Sequence, residues 1–364
     1  MQVPSIGLSP VVLAIVGLAF LLLLLEAFTI GYAFLRRVQE RRQESIEQPI
    51  RERILEIVRT EQPPYDAFIS GLSQREYTAA TRETQALIGQ TSGTTATNLR
   101  TLGKELGMHE TAVKKLNGSD RIDRLHGLTT LSLLRHPPSA TDVRAQCLEN
   151  AVLRGAGANA LASAGTAQGY REALNVLYHE SSNRLSVLGM ETVDSIGRDK
   201  PGLLLDELTD KMADTSEREL VQTLLVFAEL EMDGEPVDGL PQWITTALAA
   251  ENPRVRAAAV ASLRCFNPGI AQYSTVAVSN AIVDSAPSVR RAAAQTVDSW
   301  ANNEMLLAEL ADQLATEPDE RVRQSIVTTL LSHGHRPQRP LPTAAMESWS
   351  WRAALTDIQA REHA

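Results

Sequence analysis

ENPRVRAAAVASL (251–263), DSAPSVRRAAAQTV (284–297) and EPDERVRQSIVTTLL (317–331) are one pattern written three times. The pairs Val255-Arg256, Val289-Arg290 and Val322-Arg323 follow one another at steps of 34 and 33 residues. A period in this range marks stacked repeats. Each Val opens an apolar stripe continued four and eight residues later, as Val255/Ala259/Leu263, Val289/Ala293/Val297 and Val322/Ile326/Leu330, which is one face of a 3.6-residue helix. The positions just before the stripe are small, Ala258/Ser262, Ala292/Thr296 and Ser325/Thr329, and allow a neighbouring helix to come close.

Each of these helices has an upstream partner, in 241–250, 273–284 and 305–316, so the repeated unit is a helical hairpin. Pro253 and Pro287 stand in the first turn of the second helix, where proline forfeits no hydrogen bond. The runs NPRVRAAAVASL and APSVRRAAAQTV resemble the second helix of a HEAT repeat. That resemblance implies an all-α solenoid of stacked HEAT-like hairpins. It also implies a ladder between repeats, made by the Arg and an acid about six positions before it. Asp284 with Arg290 and Glu317 with Arg323 have that spacing, while Glu251 with Arg256 is one residue short. The resemblance specifies an architecture without a chemistry, since such solenoids serve as scaffolds, transport factors and a few lyases.

Toward the N-terminus, no charged residue occurs from Met1 to Leu25, and 11–25 is continuously apolar. About 20 apolar residues suffice to cross a bilayer. Residues 1–35 therefore read as an N-terminal segment with a single uncleaved transmembrane helix. Glu26 stands either at the membrane boundary or inside it, since apolar character continues to Leu35. Arg36, Arg37, Arg41 and Arg42 follow directly, with no basic residue before the span. By the positive-inside rule the bulk of the chain faces the cytoplasm, and these arginines are placed to meet anionic headgroups. Residues 36–62 read as a charged juxtamembrane stalk, with Ile50, Ile54 and Ile57 at helical spacing and Pro49 as an early break.

The solenoid is expected over 63–332 as six or seven hairpins. Helices are read at 73–88, 95–106, 109–118, 121–135 and 141–154, the last carrying a fourth pair, Val143-Arg144, with Cys147 on the buried stripe. Two weaker units without the Val-Arg signature fill the stretch up to Val255, and the acidic loop 232–239 departs further. A Pro-rich break begins the last segment, 333–364, after which Trp349 and Trp351 lie on a short amphipathic piece. They either cap the last repeat or dock another protein.

The chain carries a formal net charge of −9, which argues against a nucleic-acid-binding surface, and its two cysteines provide no disulfide framework. Gly155-Ala156-Gly157-Ala158-Asn159-Ala160 imitates a dinucleotide fingerprint without the βαβ setting that motif needs. His333 and His335 have no evident third metal ligand, and Asp233, Glu235 and Asp238 do not follow an EF-hand loop. No set of catalytic residues, cofactor site, metal site or small-molecule site stands out. The expectation is a non-enzymatic, single-pass protein of the cell membrane that binds a protein partner through an extended helical surface. The alternative is a HEAT-like lyase or chromophore-handling protein with a pocket on its inner face.

Overall fold

The computed structural model describes residues 46–362 apart from 61–62, 180–182, 214, 231–239, 267–270 and 301–302, together with Leu25 and Phe28. Apart from Leu25 and Phe28, the expected membrane span lies outside the described residues, as do Glu26, Arg36, Arg37, Arg41, Arg42, Asp233, Glu235 and Asp238. Among the described residues no helix is long and apolar enough to cross a membrane.

Every regular element among the described residues is helical. In chain order these are α1 (46–58), α2 (Tyr65–Ser70), α3 (Gln74–Ile88), α4 (Gly93–Glu105), α5 (Met108–Leu116), α6 (Arg121–Leu133), α7 (Ala140–Cys147), α8 (Ala151–Ala162), α9 (Ala167–Leu177) and α10 (Val187–Asp199). They continue as α11 (Pro201–Lys211), α12 (Glu217–Glu229), α13 (Gln242–Leu248), α14 (Pro253–Ser262), α15 (Ala271–Ile282), α16 (Pro287–Ser299), α17 (Glu304–Leu314), α18 (Glu320–Ser332) and α19 (Thr343–Glu362). The chain divides into two compact units, Met1–His109 and Glu110–Ala364.

In the first unit, α1 buries Ile50, Ile54 and Val58, and the unit's core also includes Phe68, Leu87, Leu99 and Leu102. The Asn98 amide donates to Val58 O at 2.8 Å, and the Tyr65 hydroxyl donates to Asn98 O at 2.9 Å. Residues 46–58 are thus part of a folded unit, not of a solvated stalk. The stripe runs i, i+4, i+8 and so selects Val58 where the sequence reading chose Ile57. Pro49 lies within the helix.

Among its described residues the second unit is a stack of helices in which one helix of each repeat forms a continuous row. The second helices α6, α8, α10, α12, α14, α16 and α18 pack each on the next, and α19 packs on α18. The expected stripes are all inside: Val255, Ala259, Leu263, Val289, Ala293, Val297, Val322, Ile326 and Leu330 are buried. The small slots do more than admit a neighbour. Thr296 Oγ1 donates to Val260 O, and Thr329 Oγ1 donates to Ala294 O, each at 3.0 Å, so a buried hydroxyl bonds the backbone of the preceding repeat.

One expected helix, 141–154, is two helices. The Asn150 side chain accepts from Val152 N at 2.9 Å and Leu153 N at 3.2 Å, which caps a new helix, α8, directly after α7. The glycine-rich run then lies inside α8. A Cβ on Gly155 would meet Ser186 Oγ at 2.1 Å and Gly189 N at 2.9 Å, so α8 and α10 touch backbone to backbone. Likewise a Cβ on Gly157 would meet Val143 Cγ1 at 2.5 Å. The fingerprint-like glycines are therefore packing residues, and among the described residues no strand precedes them.

Candidate functional site

The repeated arginines do two things at once. Arg256 Nη1 donates to Ala250 O and Glu251 O, both at 2.8 Å, and closes the turn of its own hairpin. Its Nε and Nη2 fork onto the two Asp284 oxygens at 2.9 Å, which lie in the following repeat. Arg290 repeats the arrangement, with Nη1 on Asp284 O and Ser285 O and a fork onto Glu317 at 2.7 and 2.6 Å. Arg323 Nη1 holds Glu317 O and Pro318 O in the same way. The acid six residues before an Arg thus serves the Arg of the repeat before it. Glu251 has no such arginine behind it, since α12 carries Leu220 at that position, and it is exposed.

The Arg290–Glu317 pair is the deeper of the two, with the side chains 8% and 0% exposed. Burial pushes the Glu317 carboxyl up, but Arg290, the Asp319 N–H and the Gln313 amide outweigh it, and the carboxyl titrates below its ordinary range. Asp284 is also lowered, chiefly by its hydrogen bond with Arg256. A depressed folded value means stability that is fully present above the unfolded value of about 4 and is lost as pH falls through the folded one. Urea midpoints should therefore hold steady from pH 7 to about 5 and decline below about 4. Glu317→Gln should flatten that decline, and an unchanged slope would show that the pair does not contribute it.

The ladder extends further upstream than its dipeptide signature. Leu153-Arg154 stands three residues after the capping Asn150, as Val255-Arg256 does after the capping Asn252. Arg154 Nη1 donates to Leu148 O, six residues back, and Nη2 to Arg184 O of the next repeat, both at 2.9 Å. Arg124 is the same device on α6, bonding Gly118 O and, across to the next repeat, Gln146 O. Val143-Arg144 is not a member: Val143 is buried in α7, the first helix of its pair, and Arg144 is exposed. Leu153 lies 102 residues before Val255, three steps of 34, a register visible once the cap rather than the dipeptide is aligned. Where α10 and α12 lack the arginine, Gln222 bonds Leu185 through both its amide atoms, at 2.8 and 3.1 Å.

The first helices are less evenly packed. α7, α9 and α11 touch in turn, and α15 packs on α17. No comparable packing joins α13 to α11 or to α15 among the described residues. At 7 residues, α13 is shorter than α11 or α15, with 11 and 12. A cleft of about 640 Å³ opens between α13 and α15, floored by Val260 and Val289 and walled by Leu240, Leu248, Val276 and Ala281. A smaller cleft, about 400 Å³, lies on the other side of α13, lined by Met212, Leu220 and Trp243 among others. The α15 sequence AQYSTVAVSNAI contains no charged residue. Tyr273, Val276 and Val283 on or just after it are 73%, 56% and 68% exposed. The polar side chains of the larger cleft are Thr245, Tyr273, Asn280 and Asp284, and Asp284 is already engaged by Arg256.

The other candidates separate. Trp349 packs partly buried against the core, whereas Trp351 is exposed, on a helix α19 that is longer than the short segment expected. His333 Nε2 lies 3.1 Å from Asp298 O while His335 Nδ1 faces Glu304 at 3.6 Å, so the two rings do not converge. Among the described residues no group of His, Cys, Asp and Glu is arranged to hold a metal. Cys147 and Cys265 are buried and unpaired, and burial pushes the Cys147 thiol up to about 11.

Residues 240–331, from α13 through α18, match the family model described as HEAT repeats. No curated protein matches the chain.

Proposed function

We propose that this chain is a non-catalytic, membrane-tethered scaffold whose second unit binds a protein partner at the cleft between α13 and α15. The observation that carries the reading is the uncharged α15 face. Soluble surface helices normally turn charged residues outward, and an apolar, exposed stripe beside a preformed cleft fits a partner's apolar side chains. The match of 240–331 to HEAT repeats supports the same kind of activity, extended surface contact by stacked helices. Among the described lining residues of the cleft the one charged side chain, Asp284, is engaged by Arg256. The segment 1–35 would hold the protein in the cell membrane with its bulk on the cytoplasmic side, raising its local concentration for membrane-bound partners.

A photo-crosslinking residue at Tyr273, in membranes of the native host, should give a discrete protein adduct. The same residue at exposed Arg291 on α16 should not, and Val276→Arg should abolish the Tyr273 adduct without changing the thermal melt. Identical adducts from both positions, or an adduct indifferent to Val276→Arg, would contradict the assigned face. Transferring Arg36, Arg37, Arg41 and Arg42 to the N-terminus should expose the chain to external protease, and unaltered protection would contradict the topology.

A further inference from the structure

The exposed side of α15 has a spacing of its own. Tyr273, Val276 and Asn280 face outward, followed by Val283 directly after the helix, at steps of three, four and three residues. This is the a, d, a, d order of a coiled-coil seam, along which one helix meets another. Thr275, Ala277 and Ser279 flank the line and are small enough to let a second helix come close. On the inward side Ser274, Val278, Ala281 and Ile282 are buried, and α15 packs there on α16 and α17, which leaves the seam uncovered among the described residues. Charge narrows the choice of what covers it. The chain carries a net charge of −9, so two copies repel on average, yet neither α15 nor α13 beside it contains a charged residue. Here copies of an acidic chain can meet without opposing like charges.

Resting on the proposal that this face docks a protein, we infer that its occupant is α15 of a second copy of this chain, lying alongside and parallel. Asn280 selects that arrangement. A single Asn at an a position of a seam fixes register and partner number, because its amide is best satisfied by the same amide opposite. In the parallel pair each residue faces its own equivalent. Asn280 meets Asn280, and Tyr273, Val276 and Val283 form three apolar levels over about 15 Å. In an antiparallel pair centred on the helix, Asn280 would lie against Val276 and its amide would lose water without gaining a partner. The parallel pair is isologous, with its two-fold axis along α15. About one and a half heptads would not hold two free helices together. Packing on α16 and α17 orders α15 in advance, however, so pairing does not carry the cost of folding it. Tyr273 also lines the cleft, which gives the two facing rings space to turn aside.

The test uses the full chain in membranes of the native host, oxidised with copper-phenanthroline and run on a gel without reductant. Cys147 and Cys265 are buried, so the parent chain should stay monomeric. Val276→Cys and Val283→Cys should each give a covalent dimer, because equivalent seam positions lie within the roughly 7 Å Cα reach of a disulfide. In an antiparallel pair the two 283 positions would stand about 15 Å apart, so the second variant reports orientation. Arg291→Cys, exposed on α16, should give no dimer. Adding Asn280→Asp, which sets two carboxylates face to face, should lower the Val276→Cys dimer at least about tenfold with the thermal melt unchanged. No dimer from Val283→Cys overturns the parallel pair. If a photo-crosslinker at Tyr273 then still captures a protein of another mass, the docking face stands with a different occupant; if it captures nothing, that reading falls as well. A dimer that forms equally from Arg291→Cys, or that ignores Asn280→Asp, also overturns the pair, by showing chance collision and not a seam.

Discussion

Glu317→Ala should destabilise the second unit by about 3–5 kcal/mol, because it strands the Arg290 guanidinium in a nearly buried position. The size of the effect is the cost of an uncompensated charge, not the worth of the pair. Replacing both partners with apolar residues of similar volume, Arg290→Met with Glu317→Leu, should therefore recover most of the loss. The four tryptophans, Trp243, Trp300, Trp349 and Trp351, all lie in the second unit, so urea unfolding followed by their fluorescence reads that unit by itself. A single variant that melts like the parent, or a double variant worse than the single, would show that the fork does not join these repeats.

Val289→Asp should cost roughly 3 kcal/mol or more, since a carboxylate at this nearly inaccessible position would lose most of its hydration without gaining a partner. Val289 is 1% exposed, opens the stripe of α16 and floors the cleft beside α15. Arg291→Asp, two residues along the same helix and exposed, should shift stability by no more than about 0.5 kcal/mol. Equal melts for the two variants would mean that the apolar face of the repeat is not the buried one.

The fold of the second unit was largely legible because a repeat states the same physical requirement several times. The apolar stripe at every fourth residue recurs from Val255 to Leu330 and is buried throughout, while the proline in the first turn occurs in two of the three repeats, at Pro253 and Pro287. Reading failed where one signal was taken for another. Val143-Arg144 has the right two letters, but Asn150 decides where the helix starts, and counting from that cap leads to Leu153-Arg154. Glycines at 155 and 157 look like helix breakers by propensity. Tertiary contact overrides propensity there, because only a residue without a side chain lets α8 lie against α10.

The candidate site was less visible. An acid six residues before an arginine is a local spacing, whereas the bond it makes runs to the arginine of another repeat. Nothing in a linear pattern states that direction. The cleft arises from a short helix, α13, failing to fill a row, which is a property of neighbours and not of any one segment. Its signature was nonetheless present, in a helix from Ala271 to Ile282 with no charge at all on a protein where the adjacent α17 carries Glu304, Glu309 and Asp312. At the N-terminal side, Ile50, Ile54 and Val58 show how an amphipathic stripe next to a charge-rich run can belong to a core. The charges on the opposite face then pair locally, as Arg82 does with Glu47 at 2.6 Å.

Nitroxide labels at Arg254, Ser288 and Arg321 test the stacked arrangement most directly, because these exposed positions are equivalent, each one residue before the repeat's Val. Helices packed in register lie about 8–10 Å apart. The account predicts equal short separations for 254 with 288 and for 288 with 321, and a narrow distribution about twice as long for 254 with 321. A 254–321 separation no longer than either neighbouring one, or a broad distribution extending far beyond it, would contradict a row of repeats clipped one to the next.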